Sequence, residues 1–176
     1  MSRRRIKLSL YSIPLLCIPL LSNALPEDAQ QRLQFSASRA ELSDHTHTGT
    51  LIGDVTLDQG STHVRGTKAL TQGNTSNQLV KAIIEGDLKH QAHYWTLTTK
   101  NKPILHAYAD IIYYYPQQHR IELVGHAKVA QGNDAFTAAQ IQYDLLHQQV
   151  FSKSDGQTRT NIIIHPGKNH GIDNPR

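Results

Sequence analysis

Histidine is the residue type with the greatest capacity for chemistry in this sequence, and it occurs eleven times in 176 residues. Imidazole nitrogens are common metal ligands, and the spacing His45-Thr46-His47 would place two of them on one face of a strand. His90, His93 and His106 form a second candidate set, because some jelly-roll proteins bring histidines from neighbouring strands onto one metal ion. A histidine-dependent metal-binding jelly roll is therefore one hypothesis. Against it, no acidic residue follows at the spacing of a ligand, and most of these histidines fall at outward-facing positions or in loops.

The sequence contains no other recognisable catalytic pattern. It has no Gly-x-Ser-x-Gly elbow for a serine hydrolase, no phosphate loop and no dinucleotide fingerprint. Its carboxylates are scattered singly, so that none pairs for glycoside chemistry. The one cysteine is Cys17, which falls in a segment that we expect to be removed. We therefore expect a protein that is not an enzyme and that needs no cofactor.

The elements that would position any site are β-strands. Between residues 120 and 130 the odd positions are apolar or small and the even positions are mostly polar, and residues 49–58 show the same alternation. Each of these segments runs into a Gln-Gly pair, at Gln59-Gly60 and Gln131-Gly132, where glycine suits a tight hairpin. Further strands are predicted at 33–37, 79–84, 93–98, 104–115, 135–143, 149–152 and 158–165. The predicted fold class is all-β.

The sequence also repeats itself. Residues 33–71 superpose on residues 105–143 without a gap, and a shorter spacing relates Ala37-x-x-Ala40-x-Leu42 to Gly66-x-x-Ala69-x-Thr71. Strand–turn–strand units stacked along one axis would produce this pattern. If such a sheet pair does not close, it leaves strand edges at both ends, so we expect copies to associate head to tail by edge pairing.

The segment 1–24 has the features of a cleaved signal peptide. It begins with a cationic stretch, continues through an apolar stretch from residue 8 to residue 21, and ends in Ser22-Asn23-Ala24. Four of the eighteen basic residues and none of the fourteen acidic ones lie there, so the remaining chain carries fourteen of each. A neutral chain argues against nucleic acid as a partner. The domain prediction is therefore a signal peptide at 1–24, one domain at 25–165 and a polar tail at 166–176.

Apolar residues recur on one face of the predicted strands, and small residues sit at repeated places on or beside that face. An ordinary filled core is one interpretation of this face. A face that alternates bulky with small side chains could instead leave a trough for an elongated apolar ligand. Composition does not decide between the two.

An ordered set of strand and turn fragments resembles the OstA-like family of periplasmic lipopolysaccharide-transport proteins, of which LptA is a member. The resemblance covers about residues 30 to 165. The family usually has Ile where Phe35 stands, and its middle-strand Phe-Tyr corresponds to Tyr94-Trp95. The matching fragments are Leu51-Ile52-Gly53-Asp54-Val55, Gln59-Gly60, Ile84-Glu85-Gly86-Asp87, Asn101-Lys102-Pro103, Ala109-x-x-Ile112-x-Tyr114, Leu123-Val124-Gly125-His126-Ala127 and Phe136-x-Ala138-x-x-Ile141-x-Tyr143.

The resemblance implies a twisted, partly open antiparallel β-jelly roll of the OstA-like type, located in the periplasm, whose interior holds the acyl chains of lipid A. It further implies that copies join end to end into a bridge from the inner-membrane protein LptC to the amino-terminal domain of the outer-membrane protein LptD. The alternation of inward-facing and outward-facing positions along each strand, together with position in the resemblance, predicts nine groove-lining residues: Leu33, Phe35, Leu57, Tyr94, Ile121, Leu123, Val129, Phe136 and Ile141. The other hypotheses that remain open are a shorter OstA-like domain of a different component of the same pathway, a periplasmic chaperone acting by strand addition, the metal-binding jelly roll and a structural fibre subunit.

Overall fold

The computed structural model describes residues 31–166, and these residues form an almost entirely β structure. Over this range there is no α-helix, and hence none long and apolar enough to cross a membrane. One turn of 3-10 helix occurs at Pro116–Gln118. The strands are β1 (Leu33–Ser36), β2 (Arg39–Ser43), β3 (Thr48–Gln59), β4 (Thr62–Gly73), β5 (Leu79–Glu85), β6 (Ala92–Thr96), β7 (Leu105–Ala109), β8 (Ile111–Tyr115), β9 (Arg120–Gln131), β10 (Asp134–Asp144), β11 (Gln149–Lys153) and β12 (Asn161–Ile163). The predicted signal peptide, and the predicted tail after Pro166, lie outside the described residues.

All strand pairs are antiparallel, and their registers divide the sheet into two layers that share four long strands. The first layer has the order β2–β3–β4–β5–β8–β9–β10–β11. The second layer has the order β1–β3–β4–β6–β7–β9–β10–β12. Strands β3, β4, β9 and β10 each run through one layer and then bend into the other. The bends therefore join the layers along one side, and the strand ends lie on the opposite side.

The bends in β3 and β9 depend on glycine. Gly53 has a φ of +80° and Gly125 a φ of +79°, values that residues with a side chain seldom adopt. The pairing of β3 with β4 shifts register next to Gly53, as expected for a bulge that redirects a strand. Each bend is held by one backbone hydrogen bond: Ser38 N–H donates to the Gly53 carbonyl at 2.7 Å, and Asp110 N–H donates to the Gly125 carbonyl at 3.0 Å.

The internal repeat predicted from the sequence is confirmed in the strand boundaries. When residues 33–71 are superposed on residues 105–143, the first residues of β1, β2, β3 and β4 coincide with those of β7, β8, β9 and β10. The shorter spacing carries the first residues of β1 and β7 onto those of β4 and β10. The chain therefore builds its two halves from the same strand–turn–strand unit.

Two strand predictions need correction in detail. The predicted strand at 104–115 is two strands, β7 and β8, separated at Asp110, because β7 pairs in the second layer and β8 in the first. Strand β2 was not predicted: its residues alternate polar with apolar, but only Ala40 and Leu42 are apolar, and all five residues are exposed. Both Gln-Gly pairs do form hairpin turns, where Gly60 and Gly132 have φ values of +58° and +60°.

The hydrogen-bonded strands close into a ring, β4–β5–β8–β9–β7–β6 and back to β4, which gives the middle of the molecule a barrel-like character. The ends of the layers stay open. Among the described residues, β1 and β2 at one end, and β11 and β12 at the other, pair on one side only. The predicted all-β antiparallel jelly roll with internal repeats is thus confirmed.

Candidate functional site

The space between the two layers is lined by apolar side chains that form one cluster. In its middle the side chains are closely packed, and Ile112 and Ile121 have no exposed surface. The rings of Tyr94 and Tyr114 lie there at 5.7 Å between centroids, tilted by 51°. Burial of these side chains from both layers is the main stabilising contribution to the fold, at about 25 cal/mol per Å² of apolar surface removed from water.

The nine predicted groove-lining residues separate into two groups. Six are buried in the cluster: Leu57, Tyr94, Ile121, Leu123, Val129 and Ile141. The other three, Leu33, Phe35 and Phe136, are partly buried and pack against the cluster from its ends. All nine therefore belong to or contact one apolar interior, and four of them line its open ends: Leu33 and Phe35 at one end, Val129 and Phe136 at the other.

The interior opens at both ends of the layers. The N-terminal opening, about 240 Å³, lies between β1 and β2, with Leu33, Phe35, Leu42 and Leu79 among its lining residues. The C-terminal opening, about 320 Å³, lies beside β12. Its lining side chains include Phe136, Tyr143, Val150 and Ile162. An apolar chain entering either opening would contact hydrocarbon side chains on several sides.

Of the two interpretations left open for the small residues, a filled core and a trough, the structure supports a filled core at Gly66. A side chain placed there would collide with Ile84, which already fills the space beside it. Ala109 and Ala127 are likewise buried, at exposures of 1% or less. The small residues allow strands from the two layers to approach closely near the bends, so the accessible apolar surface is at the ends.

The histidines within residues 31–166 do not assemble a metal site. Over residues 31–166, no group of three or more His, Cys, Asp or Glu side chains is placed to hold a metal ion. Of the three predicted to converge, His93 and His106 are in contact, with Nε2 and Nδ1 3.0 Å apart, whereas His90 lies near Asp87. His45 and His47 lie in the turn between β2 and β3.

Rings on the outer face of the second layer form a stacked cluster that the sequence reasoning missed. His93 stacks on Trp95 at 4.5 Å and on Tyr108 at 4.3 Å, and Trp95 also stacks on His63 at 5.1 Å. Burial, and secondly the positive charges of His106 and Arg65, lower the pKa of His93 from 6.5 to about 4. The signal that could have found the cluster is ring-bearing residues at alternate positions of adjacent strands.

An ion-pair group borders these rings. Asp58 Oδ1 lies 2.6 Å from His63 Nδ1 and accepts a hydrogen bond from Arg65 Nη1 at 2.9 Å. Burial acts to raise the pKa of Asp58, but the hydrogen bonds from His63 and Arg65 outweigh it and the pKa is lowered. The guanidinium of Arg65 also lies 5.1 Å from the centre of the Trp95 ring, a cation–π distance. This outer face is therefore polar and charged, in contrast to the interior.

Comparison with known proteins connects this architecture to lipopolysaccharide transport. The model of the LptA/(LptD N-terminal domain) lipopolysaccharide-transport protein family matches residues 34–149, well over half of the sequence. The chain belongs to this family. Members of this family are lipopolysaccharide-transport proteins, as the resemblance in the sequence predicted. The matched residues include both glycine bends and every predicted lining residue except Leu33.

A relative and a solved structure agree with this membership. The lipopolysaccharide export system protein LptH of Pseudomonas aeruginosa is 31% identical over 152 residues, which covers 82% of this chain and 85% of LptH. The crystal structure of LptH from Pseudomonas aeruginosa superposes with a TM-score of 0.73 at 28% identity, covering 80% of this chain and 100% of that one. It is described as the LptA-homologous periplasmic component of the conserved lipopolysaccharide transport device.

Proposed function

We propose that this chain carries lipopolysaccharide through the periplasm by sheltering the acyl chains of lipid A in its apolar interior. The observation that supports this most is an apolar cluster running between two layers and opening at both ends in a member of this family. The nine residues from Leu33 to Ile141 predicted from the sequence are the proposed contacts. On this proposal the chain catalyses no reaction and requires no cofactor.

Hydrophobic transfer energies explain why such shelter is needed. Each methylene group moved from water to an apolar site contributes about 0.8 kcal/mol, so a chain of about fourteen carbons exposed in water costs on the order of 10 kcal/mol. Shallow contacts with aliphatic and aromatic side chains offset this cost without fixing the lipid at one point. Since the middle of the interior is filled, an acyl chain that advances beyond the openings must push apart the side chains of the two layers.

The same proposal includes assembly into a bridge. The terminal strands β1 and β2 at one end, and β11 and β12 at the other, leave backbone groups available for pairing with another strand. We infer that copies join head to tail at these edges, with LptC at the inner membrane and the amino-terminal domain of LptD at the outer membrane as the terminal partners. Joining the ends would also place the C-terminal opening of one copy beside the N-terminal opening of the next. Export by a cleaved signal peptide at residues 1–24 is part of this proposal.

Native mass spectrometry of the purified protein with lipid A tests lipid binding and assembly together. Phe136→Asp puts a charge in the C-terminal opening, and Phe35→Asp does the same at the N-terminal opening. Gln140→Asp is the matched control, because Gln140 is exposed on the same strand as Phe136. We expect the wild type and the control to retain lipid A, and each Phe variant to lose most of it while keeping its β-sheet circular dichroism. Absence of lipid A on the wild type, or equal retention by all variants, would contradict the proposal.

A further inference from the structure

A polar cleft of about 630 Å³ lies directly beside the N-terminal opening. It spans the side of the molecule where strand ends of the two layers face each other, between Gln59 at the end of β3 and Gln78 in the turn before β5. Leu33, Asn77 and Leu79 line both the cleft and the opening. A ligand with an apolar tail and a polar head could therefore occupy both spaces at once.

Amide side chains supply the polar lining of this cleft. Six of its nine lining residues are Asn or Gln, and the remaining three are Leu33, Leu79 and Pro116. None of the nine is Lys, Arg, His, Asp or Glu. The cleft therefore carries no side-chain charge, unlike the outer face of the second layer. Sequence reasoning missed it, because amides at strand ends are also ordinary turn residues.

Several of these amides are held in place by hydrogen bonds. Asn74 Oδ1 accepts from the backbone N–H groups of Ser76 and Gln78 at 3.0 and 2.9 Å, and Asn74 Nδ2 donates to Gln78 Oε1 at 3.0 Å. The Oε1 atom of Gln78 is thus engaged, which leaves its amide hydrogens for another acceptor. Gln59 Nε2 donates to the Gln31 carbonyl at 3.2 Å across the other side of the cleft. A lining fixed in this way loses little conformational freedom when a ligand binds.

The chemistry of an amide lining matches sugar hydroxyl groups. A hydroxyl group both donates and accepts, and an amide side chain offers a donor and an acceptor together. A phosphate group only accepts, and it is bound most strongly by charged donors such as Arg. The apolar surfaces of Leu33, Leu79 and Pro116 would pack against the carbon-bound hydrogens of a sugar ring. In the adjoining opening, the carboxylate of Asp44 would repel a phosphate group.

We propose that this amide cleft binds an uncharged sugar residue of the transported glycolipid while an acyl chain enters the N-terminal opening beside it. The proposal rests on the proposed function, since it assigns the head group of the lipid whose tail the interior shelters. It places the phosphate groups of the lipid outside this cleft.

Three probes with the same eight-carbon tail separate the contributions of head and tail: octyl glucoside and octyl phosphate, each used below its micelle concentration, and 1-octanol, used below its solubility limit. Their affinities for the purified protein are measured by displacement of a fluorescent fatty acid. One net neutral hydrogen bond corresponds to about a fivefold change in affinity. We expect octyl glucoside to bind at least about fivefold more tightly than 1-octanol, and octyl phosphate to bind no more tightly than 1-octanol.

Two variants test whether the amides of the cleft cause the preference for octyl glucoside over 1-octanol. Gln117→Leu and Gln78→Leu each remove an amide and keep a similar shape, at residues that line the cleft and not the N-terminal opening. Each should reduce the preference for glucoside over octanol to about twofold or less, with octanol affinity unchanged. The matched control is Gln118→Leu, at an exposed neighbouring residue outside the cleft lining, and it should keep the preference.

The outcomes distinguish this inference from the proposed function. Equal affinity for glucoside and octanol, tighter binding of octyl phosphate, or an unchanged preference in both amide variants would overturn the sugar assignment while leaving tail binding intact. Failure of all three probes to displace the fatty acid, or failure of the fatty acid to bind, would instead overturn the proposed apolar interior and this inference with it.

Discussion

Asp110 lies directly against Gly125 at the bend where β9 passes from one layer into the other. The backbone N–H of Asp110 donates to the carbonyl of Gly125 at 3.0 Å. A Cβ atom added to Gly125 would lie 2.8 Å from Cγ of Asp110 and closer still to one carboxylate oxygen. The same relationship recurs in the first half of the repeat, between Ser38 and Gly53. In each half of the repeat, a residue between two consecutive strands therefore packs against the glycine of a bend. Both layers depend on these two equivalent contacts.

The first prediction concerns this bend. Gly125→Ala should lower the free energy of unfolding by about 2 kcal/mol or more, because it combines a positive φ with a collision against Asp110. For a chain of this size that corresponds to a fall of roughly 4–8 °C in Tm. Thermal unfolding followed by circular dichroism measures it.

The matched control is Gly156→Ala. Gly156 has a similar φ of +86°, but no atom lies within 4 Å of an added Cβ. This variant carries the backbone strain without the collision, so its Tm should fall less. Equal losses at the two positions would show that the contact with Asp110 contributes nothing beyond backbone strain.

The second prediction concerns pH and the stacked rings of the second layer. Burial, followed by the charges of His106 and Arg65, lowers the pKa of His93 to about 4, against 6.5 for an ordinary histidine. Between these two values the unfolded chain binds a proton at this residue that the folded chain does not, so stability falls as pH falls from about 6.5 towards 4. We expect the urea midpoint of the wild type to decrease over this interval.

His93→Gln removes that titration and should make the decrease shallower. The lowered pKa values of Asp58 and Asp144 act at lower pH, below their usual value of 3.8, and so do not produce the same slope above pH 4.5. The measurement is the urea midpoint of wild type and variant at several pH values from 7.5 to 4.5. Parallel curves would show that the ring cluster does not hold His93 in its neutral form.

Alternation of apolar and polar residues was enough to predict most of the strands, because a strand with one buried face must alternate. Strand β2 was missed because its alternation is short, with Ala40 and Leu42 as its only apolar residues, although the internal repeat relates β2 to β8. The break between β7 and β8 did leave a signal. The buried positions are odd up to Ala109 and even from Ile112 onward, and such a change of parity marks a strand that leaves its sheet.

The candidate site was predictable only in part for a physical reason. The alternation of residues along each strand indicates that Ile121 and Phe136 face inward. It does not show whether side chains of the opposite layer fill the space that these two residues face. That depends on pairings such as β4 with β6 and β7 with β9, which join distant parts of the sequence. The openings exist because, within residues 31–166, the terminal strands have no neighbour on one side, so the position of the openings follows from the strand order and not from local pattern.

The third prediction concerns assembly. Leu42 in β2 and Phe151 in β11 are exposed apolar residues on the terminal strands at opposite ends. Lysine on an edge strand opposes pairing with another chain, so Leu42→Lys and Phe151→Lys should each weaken self-association by at least about tenfold. Sedimentation velocity over a range of protein concentrations measures the change. Ile52→Lys is the control, since Ile52 is exposed on β3 within the first layer and away from its edge.

A mixture of the two edge variants gives a sharper result. If copies join head to tail, each variant keeps one intact end, and one copy of each can form a pair that cannot grow further. We therefore expect dimers in the mixture and mostly monomers in either variant alone. Unaffected self-association in both variants, or long assemblies in the mixture, would rule out these edges as the contact.

Site-specific photo-crosslinking to lipopolysaccharide in cells tests the central proposal most directly. A photoreactive residue at Phe35 reports on the N-terminal opening, and one at Ile121 reports on the buried middle, which a lipid reaches only by parting the layers. Glu122 and Lys128 serve as outward-facing controls on β9. We expect lipopolysaccharide adducts at Phe35 and Ile121 and none at Glu122 or Lys128. Equal labelling at inward and outward positions, or labelling at the outward positions alone, would contradict the account.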